Sequence, residues 1–286
     1  MVLYHPHSFL RKIKRKASDY MEYYVSKPSC FMHLCPDDKS EVTDELLYGT
    51  SVTFSDESYG GFVFCKTCYG YGGYVDISSL SPKKEEGTRF VVTSRFCDLY
   101  SLPEFRFSPL MTLPKGSIIE GDETDSFDER FVGISMGGKK FFAPKSCVRK
   151  ASVLSLHEDD DSTRRRIIRA AFSYLNTPYR WGGKSPCGID CSGLCFMAYS
   201  LCGLSLYRDA EFDGRYVKKI DFSDLKQADL IYYNGHVVLY TGFGEYIHSS
   251  ATLGGVRTGS FDRNSPKFYP RLSSDIVCCA RSLFLN

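Results

Sequence analysis

The sequence has no long apolar run and almost no net charge, and these absences exclude several classes of protein. No stretch of the 286 residues approaches the length of a membrane-spanning helix, so stable membrane insertion is not expected. The formal net charge is +2 and no nucleic-acid-binding signature occurs, so no nucleic-acid partner is predicted. With 43% hydrophobic and 24% charged residues, the composition is typical of a globular protein of about two domains or more.

The N-terminal stretch also lacks the apolar segment of a secretory signal. A basic region occurs there, but no apolar region follows it. Apolar residues between Leu10 and Tyr24 recur at helical spacing and predict an amphipathic helical extension over residues 1–25. We therefore expect a cytoplasmic protein, with export to the cell envelope by another route as the alternative. A membrane-surface role for the helix stays open.

Cysteine, by contrast, is abundant, with 12 residues. Without a secretory signal, free thiols are favoured over disulfides. Cys65 and Cys68 have the spacing of a zinc-ligand pair, and Cys30, His33 and Cys35 could supply the other ligands. Zinc sites usually have two closely spaced pairs, and this second group is loosely spaced. Because it is loose, we predict packed strand cysteines, no metal and no cofactor.

The chain divides into four predicted segments. After the extension, residues 26–82 and 88–150 each show short strands separated by Gly-rich turns, including a hairpin turn at Gly137-Gly138. A polar linker separates these two regions. Two all-β units of this size predict small barrels.

The last segment, residues 157–286, has a different pattern. An acidic run predicts a helix start capped by Asp161 or Ser162, with the helix running over Thr163–Leu175. A second helix is predicted to end near Gly203, and strand-like runs follow it. Helices first and antiparallel strands afterwards predict an α+β fold.

A Gly- and Pro-rich loop from Tyr179 to Gly193 precedes the second of these helices. It ends in Asp-Cys-Ser-Gly, which places Cys191 at a helix N-terminus. Unpaired backbone N–H groups and the helix dipole favour an anion there. The position therefore predicts a lowered thiol pKa and a thiolate nucleophile.

Two histidines downstream complete a candidate catalytic set. His236 and His248 are 12 positions apart, and a hairpin centred on Gly242 would place them opposite each other on one face. A nucleophilic thiol needs a base within hydrogen-bond reach, and the base needs a partner that orients it. Cys191, His236 and His248 supply these three types in a suitable order.

The motifs of the last segment together resemble those of a known protein family. Residues from about 160 to 286 resemble the NlpC/p60 family of papain-like cysteine peptidases in six short motifs: Pro178-Tyr179-x-Trp181-Gly182-Gly183, Asp190-Cys191-Ser192-Gly193, Arg208-Asp209-Ala210, Ala228-Asp229-Leu230, Gly235-His236-Val237 and Ile247-His248. Both β regions resemble bacterial SH3-like domains. The first matches through Ser40-Glu41-Val42 and the run Tyr69–Tyr74, and the second through its Leu-Pro-x-Gly turn.

With two SH3-like domains in front, the whole chain resembles the γ-D-glutamyl-L-diamino-acid endopeptidases. The resemblance implies cleavage of peptidoglycan stem peptides between D-Glu and the diamino acid, with a free N-terminal L-Ala. It also implies that Cys191 attacks, that His236 pairs with the thiolate as imidazolium and later protonates the leaving amine, and that His248 orients His236.

The resemblance further implies six substrate-binding residues: Tyr71, Glu41, Tyr179, Asp190, Ser192 and Asp209. Glu41 and Asp209 would hold the substrate ammonium group, and Tyr71 would close the pocket from the first SH3-like domain. Asp190 and Ser192 would contact the D-Glu end, and the Tyr179 hydroxyl would assist.

Three other functions stay open on the sequence. The first is a general hydrolase of intact murein, and the second a thiol acyltransferase or amidase with the same site. The third is a non-catalytic wall-binding protein, against which the intact Cys-His-His set argues. Protein partners and the oligomeric state are not predicted.

Overall fold

The computed structural model describes residues 21–82, 87–122, 129–154 and 159–286. The chain divides into two compact units, residues 1–84 and residues 85–286. Residues 1–20 of the predicted helical extension lie outside the described residues, as do residues 83–86 of the predicted linker and residues 157–158 at the start of the last segment.

The described residues of the first unit form a seven-stranded sheet. Its strands are β1 (Met21–Val25), β2 (Ser29–His33), β3 (Val42–Leu47), β4 (Ser51–Tyr59), β5 (Phe62–Thr67), β6 (Gly72–Asp76) and β7 (Leu80–Ser81). The order in the sheet is β3-β2-β6-β5-β4-β1-β7. Its core includes Met32, Leu46, Val52, Val63 and Val75. In β5 and β6 the buried residues alternate with more exposed ones, as half-buried strands require.

The prediction of helix was wrong for residues 21–25. Met21–Val25 is a strand that pairs with β4 on one side and β7 on the other. The segment holds two tyrosines and a valine, which suit a pleated surface, and Val25 is buried in the core of the unit. Tertiary pairing has therefore overridden the helical spacing of the apolar residues.

The second unit opens with two further sheets. Their strands are β8 (Thr88–Val92), β9 (Phe96–Leu99), β10 (Met111–Pro114), β11 (Ile118–Asp122), β12 (Phe131–Met136), β13 (Lys139–Pro144) and β14 (Val148–Lys150). Five of them form the order β13-β12-β11-β8-β14, and β9 pairs with β10. The turn at Gly137-Gly138 is confirmed, with φ of 59° and 73°. The strand character of both β regions is confirmed, whereas the sheets described here are open and the SH3-like assignment stays a prediction.

The remaining elements carry the candidate site. They are α1 (Ala151–Leu154), α2 (Asp160–Phe172), β15 (Lys184–Ser185), β16 (Gly188–Ile189), α3 (Cys191–Ser200), β17 (Val217–Ile220), β18 (Leu230–Tyr233), β19 (His236–Gly242), β20 (Glu245–Ser250), β21 (Gly255–Ser260), α4 (Pro270–Ser274) and β22 (Cys278–Ser282). Six strands form one antiparallel sheet in the order β17-β22-β18-β19-β20-β21. Helix α3 packs against β19, β20 and α2, so the predicted helix-on-sheet layout is confirmed for this segment.

Helix α2 starts three residues earlier than predicted. Its cap is Asp159, and not Asp161 or Ser162, because the Asp159 carboxylate accepts the Ser162 N–H at 2.9 Å. The helix ends at Phe172, so Leu175 lies in the turn that follows. Helix α3 ends at Ser200, close to Gly203 with φ of 76°. In the parts of the chain that the structure describes, no helix is both long and apolar enough to cross a membrane.

Candidate active site

The Asp190 carboxylate fixes the loop that leads into α3. It accepts the Gly193 N–H at 2.5 Å as the helix cap and the Gly182 N–H at 2.8 Å from the start of the loop. A Cβ atom at Gly193 would collide with the Gly183 carbonyl oxygen, so only glycine fits there. The loop is thus drawn onto the first turn of α3, and Cys191 is held as the first residue of the helix.

Arg208 is the residue of this site that sequence reasoning missed. Its guanidinium donates to both Asp190 oxygens at 3.1 Å and to Ser192 Oγ at 2.8 Å, and both partners of the ion pair are buried. Arg208 stands in the same motif as Asp209, so the sequence did contain a motif that includes it. What the spacing did not reveal is that the arginine returns to the loop and forms a charge-assisted fork with Asp190.

Cys191 is buried, with 6% of its surface exposed. Its sulfur accepts the backbone N–H groups of Ser192 and Val237, which places it beside His236 at the start of β19. Burial, and next to it the Asp190 carboxylate, raise the pKa of the thiol to about 11. The prediction of a lowered pKa was therefore wrong, because desolvation outweighs the two N–H groups and Arg208, which act in the opposite direction.

The two histidines are joined in the structure. His236 Nε2 lies 2.9 Å from His248 Nδ1, and the two rings meet edge to face. They lie on one face of the sheet as predicted, but diagonally, and not directly opposite each other. Leu239 pairs with Ile247 and Tyr240 with Tyr246, and a bulge lies between Tyr240 and Gly242, so the register differs by two residues from a hairpin centred on Gly242.

The histidine pair is uncharged near neutral pH. Burial, with the positive charge of Arg271, lowers the pKa of His236 to about 4. Burial, with His236 itself, lowers the pKa of His248 to about 3. For His236 Nδ1 to act as a base, Nε2 must carry the proton and donate it to Nδ1 of His248. In that tautomer the second histidine accepts the hydrogen bond and orients the first.

Together these shifts correct the predicted ion pair. They favour a neutral thiol and a neutral imidazole in the free protein, because neither charged form is well solvated. The proton can then pass from sulfur to His236 as the sulfur attacks a substrate carbonyl. The backbone N–H of Cys191, the first of α3, is the natural donor to the oxyanion that forms.

Tyr179 lies at the edge of the same site. Burial raises the pKa of its hydroxyl above the ordinary value, and the nearby Cys191 and Asp190 act in the same direction. Its backbone bridges to Ile189 and to Gly254, so the residue is fixed beside the helix start. Asp190, Ser192, Cys191 and Tyr179 are thus brought together.

The remaining predicted substrate residues are Asp209, Glu41 and Tyr71. Asp209 is half-buried and accepts a hydrogen bond from the Tyr207 hydroxyl. Glu41 is exposed, and Tyr71 is half-buried against the core of the first unit. Their contacts with substrate stay predictions.

The zinc alternative has no geometric support in the described residues. Cys65 is buried in β5, Cys30 is half-buried in β2, and Cys35 and Cys68 are exposed. No group of three or more His, Cys, Asp or Glu side chains in the described ranges has an arrangement that could hold a metal ion. None of the cysteines in those ranges is joined in a disulfide.

Comparison with known proteins identifies the class of this site. The model of the NlpC/P60 family matches residues 176–271, which include the loop, Cys191, both histidines and Arg208. A crystal structure of an NlpC/P60 family protein from Bacillus cereus ATCC 10987 covers 92% of this chain and 99% of its own, with a TM-score of 0.76 and 18% identity. That likeness shows that the two chains share a fold.

Two curated relatives carry the comparison further. "Dipeptidyl-peptidase 6" of Lysinibacillus sphaericus is 33% identical over 259 residues, which cover 87% of this chain and 94% of the relative. "Gamma-D-glutamyl-L-lysine dipeptidyl-peptidase" of Bacillus subtilis (strain 168) is 35% identical over 98 residues, which cover 32% of this chain and 33% of the relative. The chain belongs to the NlpC/P60 family.

Proposed function

We propose that this protein is a cysteine peptidase that cleaves the bond between γ-D-Glu and a diamino acid in peptidoglycan stem peptides. The observation that carries the proposal is the chain of contacts from the Cys191 sulfur, through the backbone of Val237, to the 2.9 Å contact between His236 and His248. The bond is supported by the name of one relative, "Gamma-D-glutamyl-L-lysine dipeptidyl-peptidase". Membership of a peptidase family supports the reaction class.

In the proposed reaction the Cys191 sulfur attacks the γ-carbonyl carbon of D-Glu while His236 takes the thiol proton. The oxyanion is held by the backbone N–H of Cys191 at the start of α3. His236 then protonates the leaving amine of the diamino acid, and a thioester remains on Cys191. Water, activated by the neutral His236, hydrolyses that thioester and restores the thiol.

We further propose that the substrate presents a free N-terminal L-Ala, as the word dipeptidyl in the names of both relatives supports. Its ammonium group needs a carboxylate, because an unpaired charge in a closed pocket is costly. Asp209 and Glu41 are our candidates for that carboxylate, and Tyr71 for the pocket wall. These roles rest on the family resemblance.

The test uses stem peptides and mass spectrometry. We expect release of L-Ala-γ-D-Glu from a peptide with a free N-terminus and little release from the N-acetylated peptide or from intact murein. Asp209→Ala and Tyr71→Phe should reduce the discrimination between the free and the acetylated peptide. Glu211→Ala, an exposed carboxylate two residues from Asp209, is the matched control and should keep the discrimination. Equal rates on free and acetylated peptides in the wild type would contradict this specificity.

The main alternative is hydrolysis of intact murein by the same site, which the same experiment separates. Cleavage of murein at a rate equal to that of the free peptide would favour the general hydrolase. Transfer to lipid or amine acceptors without hydrolysis would favour the acyltransferase. Absence of any turnover would favour the wall-binding protein.

A further inference from the structure

The short helix α4 is anchored beside His236. Its Leu272 is buried in an apolar cluster that also contains Tyr233 and Val238. The Tyr233 hydroxyl donates to the Leu272 carbonyl oxygen at 2.7 Å. Tyr233 is also the strand partner of His236 where β18 turns into β19, and the centroids of the two rings are 6.2 Å apart. Buried contacts therefore fix the position of α4 relative to the imidazole.

Arg271, the residue before Leu272, brings a cation to the edge of the active site. After burial, its positive charge is the second cause that lowers the pKa of His236. The Arg271 side chain is 78% exposed, and its ion-pair partner is the exposed Asp275 one turn later, at 3.8 Å. An exposed pair at that distance is weak. The guanidinium is therefore able to turn from Asp275 to an acceptor on a bound substrate.

The proposed reaction places the leaving group on this side of the imidazole. His236 protonates the leaving amine, so the diamino acid that carries this amine must lie against His236. The carbon atom that carries the amine also carries a carboxyl group, which therefore lies near His236 as well. A guanidinium binds a carboxylate through two parallel hydrogen bonds, and Arg271 supplies a guanidinium beside that position.

We propose that Arg271 determines specificity by binding a carboxylate of the leaving amino acid, an assignment that rests on the proposed function. The carboxylate can come from two sources. One is the main-chain α-carboxylate of a peptide that ends at the diamino acid, and the other is the side-chain carboxylate of meso-diaminopimelate, which lysine lacks. A contact with the main chain would make the enzyme selective for tripeptides over longer stem peptides.

The test compares kcat/KM for L-Ala-γ-D-Glu-L-Lys and for its C-terminal amide. We expect the wild type to prefer the acid about five- to tenfold, mainly through KM, because a single arginine–carboxylate contact at the surface is of moderate strength. Arg271→Gln should lose this preference, and Arg271→Lys should keep part of it. A residue that acted only through its charge on His236 would change the rates on both peptides alike, so an equal loss on both would overturn the proposal.

A second pair of peptides identifies the source of the carboxylate. L-Ala-γ-D-Glu-meso-diaminopimelate is compared with the same peptide amidated at the side-chain carboxylate, and a preference confined to this pair would assign the side chain. No preference in either pair would overturn the proposal, while the cleavage itself would still support the proposed function. Cleavage of none of the peptides by the wild type would overturn both.

Two exposed positions provide matched controls. Asp275→Asn removes the ion-pair partner of Arg271 and keeps the cation, so the preference for the acid should stay or grow. Arg263→Gln removes the same charge as Arg271→Gln, at an exposed position in the loop between β21 and α4, and should keep the preference. A loss in either control as large as that in Arg271→Gln would show that the surface charge as a whole is responsible, and would overturn the assignment to Arg271.

Discussion

Two buried aspartates of the second unit make nearly the same contacts and serve different regions. Asp190 is held by Arg208 and accepts N–H groups from Gly182 and Gly193. Asp229 is held by Arg164 at 3.0 Å and Arg281 at 2.9 Å. The first cluster adjoins Cys191, whereas the second joins α2 and β22 to the turn before β18.

The comparison teaches that a motif residue with a buried ion pair is not by itself a sign of catalysis. Both aspartates stand in family motifs. In both clusters the buried carboxylate has arginine and N–H hydrogen-bond donors, so its burial is compensated. Only the partners of Asp190 hold groups that we propose to act on a substrate, namely the start of α3 and the loop. We therefore expect substitutions in both clusters to lower the free energy of unfolding, and only substitutions in the Asp190 cluster to lower activity.

Of the changes within the two clusters, Arg208→Gln is expected to have the largest effect. The change leaves the Asp190 carboxylate buried without its cation, which should lower the free energy of unfolding by about 3–5 kcal/mol. The loop and the first turn of α3 lose their clamp, so kcat per folded molecule should fall at least about tenfold. Urea unfolding and kinetics with active-site titration measure the two effects separately. An unchanged kcat would show that the Asp190 cluster is structural only.

Arg164→Gln is the matched variant in the second cluster. It removes one of two arginines from Asp229, so the free energy of unfolding should fall by up to about 3 kcal/mol. Because no contact of Arg164 reaches the loop or the histidines within the described residues, kcat per folded molecule should stay within about twofold of the wild type. A large loss of kcat in a fully folded Arg164→Gln sample would show that the Asp229 cluster also supports catalysis, which contradicts this prediction.

A smaller effect is expected from pH, and it involves the two histidines of the active-site region. His236 and His248 have pKa values of about 4 and about 3 in the folded protein, against about 6.5 unfolded. The unfolded chain therefore binds more protons between these values, and stability is complete above pH 6.5 and is lost as pH falls through that window. His248→Gln should make this dependence shallower. Denaturant unfolding from pH 7 to pH 4 measures the slope, and an identical slope in both proteins would contradict the assignment.

Much of the catalytic region could be predicted from the sequence, because its signals are local. A Gly-rich loop before an apolar helix placed Cys191, and alternating apolar strands around turns placed His236 and His248 on one face. The diagonal register could not be predicted, since a bulge and the loop at Phe243 and Gly244 decide it. The raised thiol pKa depends on burial, and the return of Arg208 to Asp190 spans 18 positions, so both are properties of the folded chain.

The same limit applies to the first unit. The spacing of apolar residues before Val25 fits a helix, but strands β4 and β7 supply partners on both sides of Met21–Val25. Those partners lie 25 or more residues away in the sequence, beyond the reach of a local pattern. A segment rich in tyrosine and valine then adopts the strand that its neighbours stabilise.

The most direct test of the account compares two cysteines of one helix. Cys191 starts α3 beside the histidines, and Cys195 follows one turn later and is also buried. We measure release of L-Ala-γ-D-Glu by the wild type, Cys191→Ala and Cys195→Ala, with circular dichroism to confirm folding. We predict a loss of at least about 10³-fold for Cys191→Ala and turnover within tenfold of the wild type for Cys195→Ala. Wild-type turnover by folded Cys191→Ala protein would contradict it.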